Sequence, residues 1–261
     1  MVLGKSEEEN LLDALKNKNV NLVKSILKKS NKNKKILNLN EQQQYYGDYP
    51  ILEAIRLNDI KIVNLLIEYA NQHQIILKLN EINSYGWYPL LWAVSDNNIE
   101  MVQLLIKYAT QHQIILELNK KCNGGEYPFY LAIYKNNIEM TNLLIEYANQ
   151  HQIVLNLNEK DKDGDYPFLR AISNNNIEMV QLLIEYANQH QIVLNLNEQD
   201  IDGDYPILRA ISNDNIEIVK LLIEYAKQNY IVLKYDKSEF YFVSNSEFKE
   251  LLKNYEHCKW R

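Results

Sequence analysis

Residues Asp163–Gln189 read DGDYPFLRAISNNNIEMVQLLIEYANQ, and Asp202–Gln228 read DGDYPILRAISNDNIEIVKLLIEYAKQ. These near-copies start 39 residues apart. The same glycine recurs at Gly47, Gly86, Gly125, Gly164 and Gly203. All five prolines, Pro50, Pro89, Pro128, Pro167 and Pro206, keep step with it. A sixth, diverged copy stands in front: LLDALKNKNVNLVKSILKK from Leu11 aligns with ILEAIRLNDIKIVNLLIEY from Ile51, without the Gly or the Pro. A fixed period of this length marks a stacked array, in which each unit buries its apolar face against its neighbours.

One copy reads as turn, short helix, longer helix and extended return. Gly164 supplies the positive φ of a tight turn. Pro167 suits a first helical position, where its missing N–H costs nothing. The short helix PFLRAISN breaks at Asn174–Asn176, because asparagine tolerates the left-handed region and caps helices. A second helix begins at Ile177, with Glu178 in the first turn, where the helix dipole favours an acid. Its apolar residues Ile177, Val180, Leu183, Ile184 and Ala187 make one buried stripe. IVLNLNEQDIDG then returns to Gly203. The expected fold is all-α, a helical solenoid of helix-turn-helix repeats with extended hairpin-like connections.

The order Gly-x-Tyr-Pro-Phe-Leu-x-Ala, a break, Ile-Glu-Met-Val-x-Leu-Leu, then Leu-Asn and an acid-rich lead to the next Gly resembles the ankyrin repeat. The resemblance spans about residues 10–235 and gains its specificity from recurring in register. Three departures stand out. The family's Thr-Pro-Leu-His signature has Tyr49, Tyr88, Tyr127, Tyr166 and Tyr205 in the Thr place, and Leu52, Leu91, Tyr130, Leu169 and Leu208 in the His place. The Thr–His hydrogen bond is thus absent, and apolar packing is expected in its stead. The period exceeds the family's by six residues, Ala187–Ile192 in one copy, which would lengthen the second helix by about 9 Å if helical. The family's glycine between the helices is Asn58, Asn97, Asn136, Asn175 or Asp214. The expected organisation is a diverged N-terminal capping repeat over 1–40, five 39-residue repeats over 41–235, and a C-terminal capping helix and tail over 236–261. SEFKELLKNY, Ser246–Tyr255, supplies that helix, with Ser246 as its N-cap.

Bulk properties narrow the function. No apolar run approaches the roughly 18 residues of a membrane span, and MVLGKSEEENLL lacks the apolar core of a signal peptide. Cys122 and Cys258 fit no metal or disulfide spacing. These features give an intracellular, cytoplasmic expectation. Between Lys16 and Lys35 lie eight lysines and no acid, leaving 20 basic against 34 acidic residues elsewhere, a balance of −14. Nucleic-acid binders carry a broader basic face, so none is expected as a partner. The lysine run reads first as a solvated cap, and second as a contact for an acidic partner or membrane surface. His73, His112, His151 and His190 recur one layer apart, about 8–10 Å, too far for shared metal ligation. They read as a half-buried structural ladder with a pH-sensitive role as the alternative. Tyr69, Tyr108, Tyr147, Tyr186 and Tyr225 read as an inter-repeat packing ladder. Gly124–Gly125 lacks the Lys-Ser/Thr of a phosphate loop. No catalytic residue, cofactor or metal is expected.

Where copies agree they serve stacking; where they differ they are free for recognition. The residue after Gly varies (Asp48, Trp87, Glu126, Asp165, Asp204), as does the residue before the Ala (Glu53, Trp92, Leu131, Arg170, Arg209). The resemblance implies that these tip and first-helix positions line a concave, partner-binding face. Tyr45, Tyr46, Tyr85, Trp87, Trp92 and Tyr134 would form an aromatic patch, the residue types that dominate binding hot spots. Arg170 and Arg209, beside Asp163, Asp165, Asp202 and Asp204, would form a charged flank. The competing reading has Trp87 and Trp92 filling grooves between repeats. The resulting expectation is a non-catalytic, monomeric scaffold for another protein. A structural or self-associating repeat protein is the alternative.

Overall fold

The computed structural model describes residues 5–43, 46–200, 202–234 and 246–258; in the last helix the side chains described are those of 247–253 and 255. The chain divides into two compact units at Asn123/Gly124. The first holds three helical hairpins: α1 (Glu7–Lys16) with α2 (Val20–Asn33), α3 (Pro50–Arg56) with α4 (Ile60–Gln72), and α5 (Pro89–Ser95) with α6 (Ile99–Gln111). There α1, α3 and α5 stack in turn, and α2 packs on α4. The second holds α7 (Pro128–Tyr134) with α8 (Ile138–Gln150), α9 (Pro167–Ser173) with α10 (Ile177–Gln189), α11 (Pro206–Ser212) with α12 (Ile216–Gln228), and α13 (Ser246–Cys258). There α7, α9 and α11 stack in turn, while α10 packs on α12 and α12 on α13. No strand occurs among the described residues, and none of their helices is long and apolar enough to cross a membrane. The N-cap role expected of Ser246 falls on a side chain outside the described set.

Local chemistry sets the element ends. Every short helix from α3 onward in its hairpin starts on proline after an extended tyrosine. The break between paired helices is a left-handed residue: Asn58, Asn97, Asn136 and Asn175 all have φ 54°, and Asp214 has φ 51°. The next residue caps the longer helix, as where Asn98 Oδ1 accepts from the Met101 amide at 2.9 Å. A cap of this kind contributes about 1 kcal/mol. In the diverged first repeat a capping box between Ser6 and Glu9 starts α1 instead. Gly86 sits at φ 80°, and a Cβ there would lie 2.8 Å from the Asn123 backbone nitrogen, so the close approach of neighbouring tips admits only glycine.

The six extra residues are only half helical. The longer helices end at Gln72, Gln111, Gln150 and Gln189, each followed by a capping histidine and a left-handed glutamine at φ 54–57°. Three added helical residues lengthen the helix by about 4.5 Å rather than 9 Å. The histidines are half-buried, as expected. Each ring packs on the tyrosine four residues earlier, at centroid distances of 4.1–4.4 Å. Nε2 of His73, His112 and His190 meets Oδ1 of Asn31, Asn71 and Asn149 at 2.6, 3.1 and 3.1 Å.

Stacking is sealed by polar side chains as well as apolar ones. The apolar replacement expected for the Thr–His device is a correction. Four of the five tyrosines in the Thr place, Tyr49, Tyr88, Tyr127 and Tyr166, have buried rings, yet their hydroxyls reach the return segment of their own hairpin, while Tyr205 is half-buried. Tyr49 donates between the Lys78 and Glu81 carbonyls, both at 2.9 Å, and Tyr88 between those of Glu117 and Lys120, both at 2.9 Å. Tyr127 and Tyr166 donate to the Asn156 and Asn195 carbonyls at 2.8 Å. The phenol satisfies carbonyls that no strand partner reaches. The second tyrosine ladder accepts as well as packs: the Leu37, Leu77, Leu155 and Leu194 amides donate to the hydroxyls of Tyr69, Tyr108, Tyr186 and Tyr225 at 3.0–3.1 Å. Asparagine clamps the next return segment from both sides of its amide. Asn40 Nδ2 donates to the Ile76 carbonyl at 2.8 Å, and its Oδ1 accepts from the Lys78 amide at 3.0 Å. Asn158 does the same with Val193 and Asn195.

Two expectations follow. Tyr88→Phe removes the donor from two carbonyl groups and should cost about 1–2 kcal/mol in urea or thermal unfolding. Tyr46→Phe, on a ring 52% exposed, should cost nothing measurable; equal stability of Tyr88→Phe and wild type would contradict the clamp. Burial raises the phenol pKa of Tyr49, Tyr88, Tyr127 and Tyr166, and the neighbouring Glu81, Glu117, Glu159 and Glu198 add to it. An unfolded tyrosine ionises near pH 10. The folded state therefore keeps protons that the unfolded state releases. This stabilisation is complete below about pH 10 and falls as pH rises beyond it. Circular dichroism should show helix lost together with the appearance of tyrosinate absorbance. Full tyrosine ionisation with helices intact would contradict this.

Candidate binding surface

The hairpin tips begin as Asx turns. Asn83 Oδ1 accepts from the Tyr85 and Trp87 amides at 3.0 and 2.9 Å, and its Nδ2 donates to Asp48 Oδ1 at 2.8 Å. Neighbouring tips are joined by backbone: Ser84 N–H donates to the Tyr46 carbonyl at 2.9 Å, and Asn123 N–H to the Tyr85 carbonyl at 3.0 Å. This spacing holds the Tyr46 and Tyr85 rings nearly parallel, with centroids 6.3 Å apart. Both project outward, 52% and 55% exposed. Tyr45 lies outside the described residues.

Trp87, on the tip, and Trp92, on α5, pack against each other at 4.3 Å and are half-buried. The Trp92 indole nitrogen is buried and meets no acceptor among the described residues. The tryptophans are therefore partly a local packing pair, each still half-exposed. The position before the Ala is not freely exposed as expected. Glu53 there is fully buried and holds Arg56 in a bidentate pair at 2.6 and 3.0 Å. Leu131 is also buried. Stacking closes this first-helix position at Glu53 and Leu131, while Trp92, Arg170 and Arg209 there remain half-buried.

In the second unit, Arg170 pairs with Asp165 and lays its guanidinium 4.6 Å from the centroid of the Tyr134 ring. Tyr134 is 47% exposed. Tyr130, in the signature's His place, donates to Asp161 Oδ2 at 2.7 Å. Asp161 Oδ1 in turn accepts from the Asp163 and Asp165 amides, both at 2.9 Å. Burial raises the Asp165 pKa against the opposing pull of Arg170. Arg209 reaches Asp200 at 2.6 Å, Asp204 at 3.0 Å and Asp202 at 3.6 Å. Burial disfavours the Asp200 carboxylate, but the hydrogen bond and charge of Arg209 together with the Asp204 and Asp202 amides outweigh that and leave its pKa lowered. Both arginines thus neutralise acids of their own tips, and Asp163 is not among the partners of Arg170. Sequence spacing placed these charges together but did not distinguish an internal pair from an open patch.

One exposed feature escaped the comparison of copies because it barely varies. Ile36, Ile76 and Ile115 in the first unit, and Val154, Val193 and Val232 in the second, are each 55–59% exposed. They sit in the extended returns, where alternation puts Leu77 and Leu79 inward and Ile76 outward. Period-two alternation was the signal available. No group of three or more His, Cys, Asp or Glu among the described residues is placed to hold a metal. Cys122 is buried and in no disulfide among them.

A family model described as ankyrin repeats (3 copies) matches residues 11–115, 72–154, 109–194 and 152–232. Among solved structures, the ankyrin repeat domain of Bcl-3, a member of the IkappaB family, is similar at TM-score 0.65 and 17% identity, over 96% of this chain and 99% of that one. An ankyrin repeat domain from Acinetobacter baumannii AYE gives TM-score 0.61 and 21% identity, over 83% and 97%. A third ankyrin repeat protein gives TM-score 0.61 and 22% identity, over 85% and 100%. No curated protein matches the chain. These solved structures share its fold, and the family match runs unbroken from the diverged first repeat through α12: the chain belongs to the ankyrin repeat family.

Proposed function

We propose that this chain is a non-catalytic scaffold that binds another protein through the tips and short helices of its repeats. Ankyrin repeats generally mediate protein–protein interaction, and proteins of the family are typically non-enzymatic. The observation that carries the reading is the outward pair Tyr46 and Tyr85, held by inter-tip backbone bonds beside the Trp87–Trp92 pair. Large rings fixed in place lose little entropy when a partner covers them. In the second unit Tyr134, backed by Arg170, is the equivalent anchor. Arg170 and Arg209 act by holding their tips in shape more than by meeting the partner directly.

The exposed Ile side chains of the first unit and the exposed Val side chains of the second favour self-association as the second reading, because recurring exposed apolar surface marks contact surface.

The test is capture from a cell extract by the wild type, by Tyr46→Ala/Tyr85→Ala and by Tyr134→Ala, after circular dichroism shows equal helicity. Truncating exposed rings leaves the stack intact. A protein held by the wild type and lost at least 10-fold by the double variant is the expected outcome, at more than about 1.4 kcal/mol. Capture that is equal in all three would remove the aromatic surface from the reading. Size that grows with concentration in light scattering, without any captured partner, would favour self-association.

A further inference from the structure

The lysines of the first repeat form a surface that the proposed partner site does not use. Lys16, Lys18, Lys24, Lys28, Lys29, Lys32, Lys34 and Lys35 are all exposed. Lys29 pairs with Glu7 at 3.4 Å, and Lys16 donates to Gln43 at 3.2 Å. The other six meet no carboxylate within 4.0 Å among the described residues. The nearby acids are largely engaged: Asp13 holds Lys5 at 2.5 Å, and Glu9 caps the Ser6 amide at 2.7 Å. Glu68 of α4 shares a shallow groove with Lys24 and Lys28.

The helix sorts these charges to one side. Val23, Leu27 and Ser30 of α2 are buried, while Lys24, Lys28 and Lys32, each four residues from the next, run along the outer face. At its end Lys34 adopts φ 53° and turns the chain, so that Lys34, Lys35 and Ile36 emerge together. Two apolar side chains stand among the ammonium groups: Leu22 is 45% exposed and Ile36 is 56% exposed.

We propose that this face docks the protein on a bilayer surface carrying anionic phospholipids. Clusters of four to eight basic residues on an amphipathic helix suit such a surface, because each lysine contributes independently to attraction by a diffuse negative potential. Long flexible stems with point charges need no fixed acceptor geometry. Leu22 and Ile36 supply short apolar contacts at headgroup depth. A nucleic-acid surface would call for arginine forks and stacking aromatics, and residues 16–37 contain neither.

The experiment is co-sedimentation of the full chain with phosphatidylcholine vesicles, with and without phosphatidylserine. Lys24→Gln/Lys28→Gln/Lys32→Gln is compared with Lys61→Gln/Lys107→Gln/Lys135→Gln, which changes net charge equally. Glutamine keeps helix propensity, and circular dichroism confirms equal folding. Wild type and the second variant should bind only phosphatidylserine vesicles. The first variant should bind roughly 100-fold more weakly, at about 5-fold per lysine, and about 1 M salt should release the wild type. Absence of binding to phosphatidylserine vesicles, equal binding to neutral ones, or equal loss in both variants would overturn the proposal. So would capture of an RNA oligonucleotide by a chain that ignores the vesicles.

Discussion

A phenol hydroxyl placed at a carbonyl that no strand can reach is the contact on which the rest of this fold depends. The extended return of each repeat leaves backbone groups unpaired, and an unpaired buried group costs about as much as a lost hydrogen bond. Tyr49, Tyr88, Tyr127 and Tyr166 answer from the start of the short helix, and asparagines such as Asn40 and Asn158 answer from the preceding return. Within each unit these bonds fix the height of one layer on the next. That height sets how closely tips approach, as at Gly86, and so how the Tyr46 and Tyr85 rings lie.

The repeat and its two helices were legible because every copy carries the same punctuation. Proline starts the short helix, a left-handed Asn or Asp ends it, and Asp59, Asn98, Asn137, Asn176 or Asn215 starts the longer one. The hydrogen-bonding work of the tyrosines was hidden, because a phenol reads as apolar until its hydroxyl's distance from a carbonyl is known. The end of the longer helix was hidden for a similar reason. NQHQ contains no proline or glycine, yet its glutamine turns left-handed once histidine caps the helix.

The candidate surface was legible in residue type and less so in exposure. Tyr46, Tyr85 and Tyr134 are open, but the position holding Glu53, Trp92, Leu131, Arg170 and Arg209 faces its neighbours to differing degrees. Variation among copies there reflects different ways of closing the layer: an internal Glu–Arg pair, a tryptophan pair, an aliphatic side chain, or an arginine held by tip aspartates. The same residues shape the tips that carry the exposed rings. Stacking and recognition are therefore coupled through the tips and are not divided cleanly between invariant and variable positions.

The most direct measurement is backbone hydrogen exchange of the chain alone and with a captured partner. The account predicts added protection over residues 83–96, where the tip and α5 carry the aromatic surface, and over 125–135 in the second unit. Protection confined to the histidine-bearing ends of the longer helices, or to α2, with the tips unchanged, would contradict it.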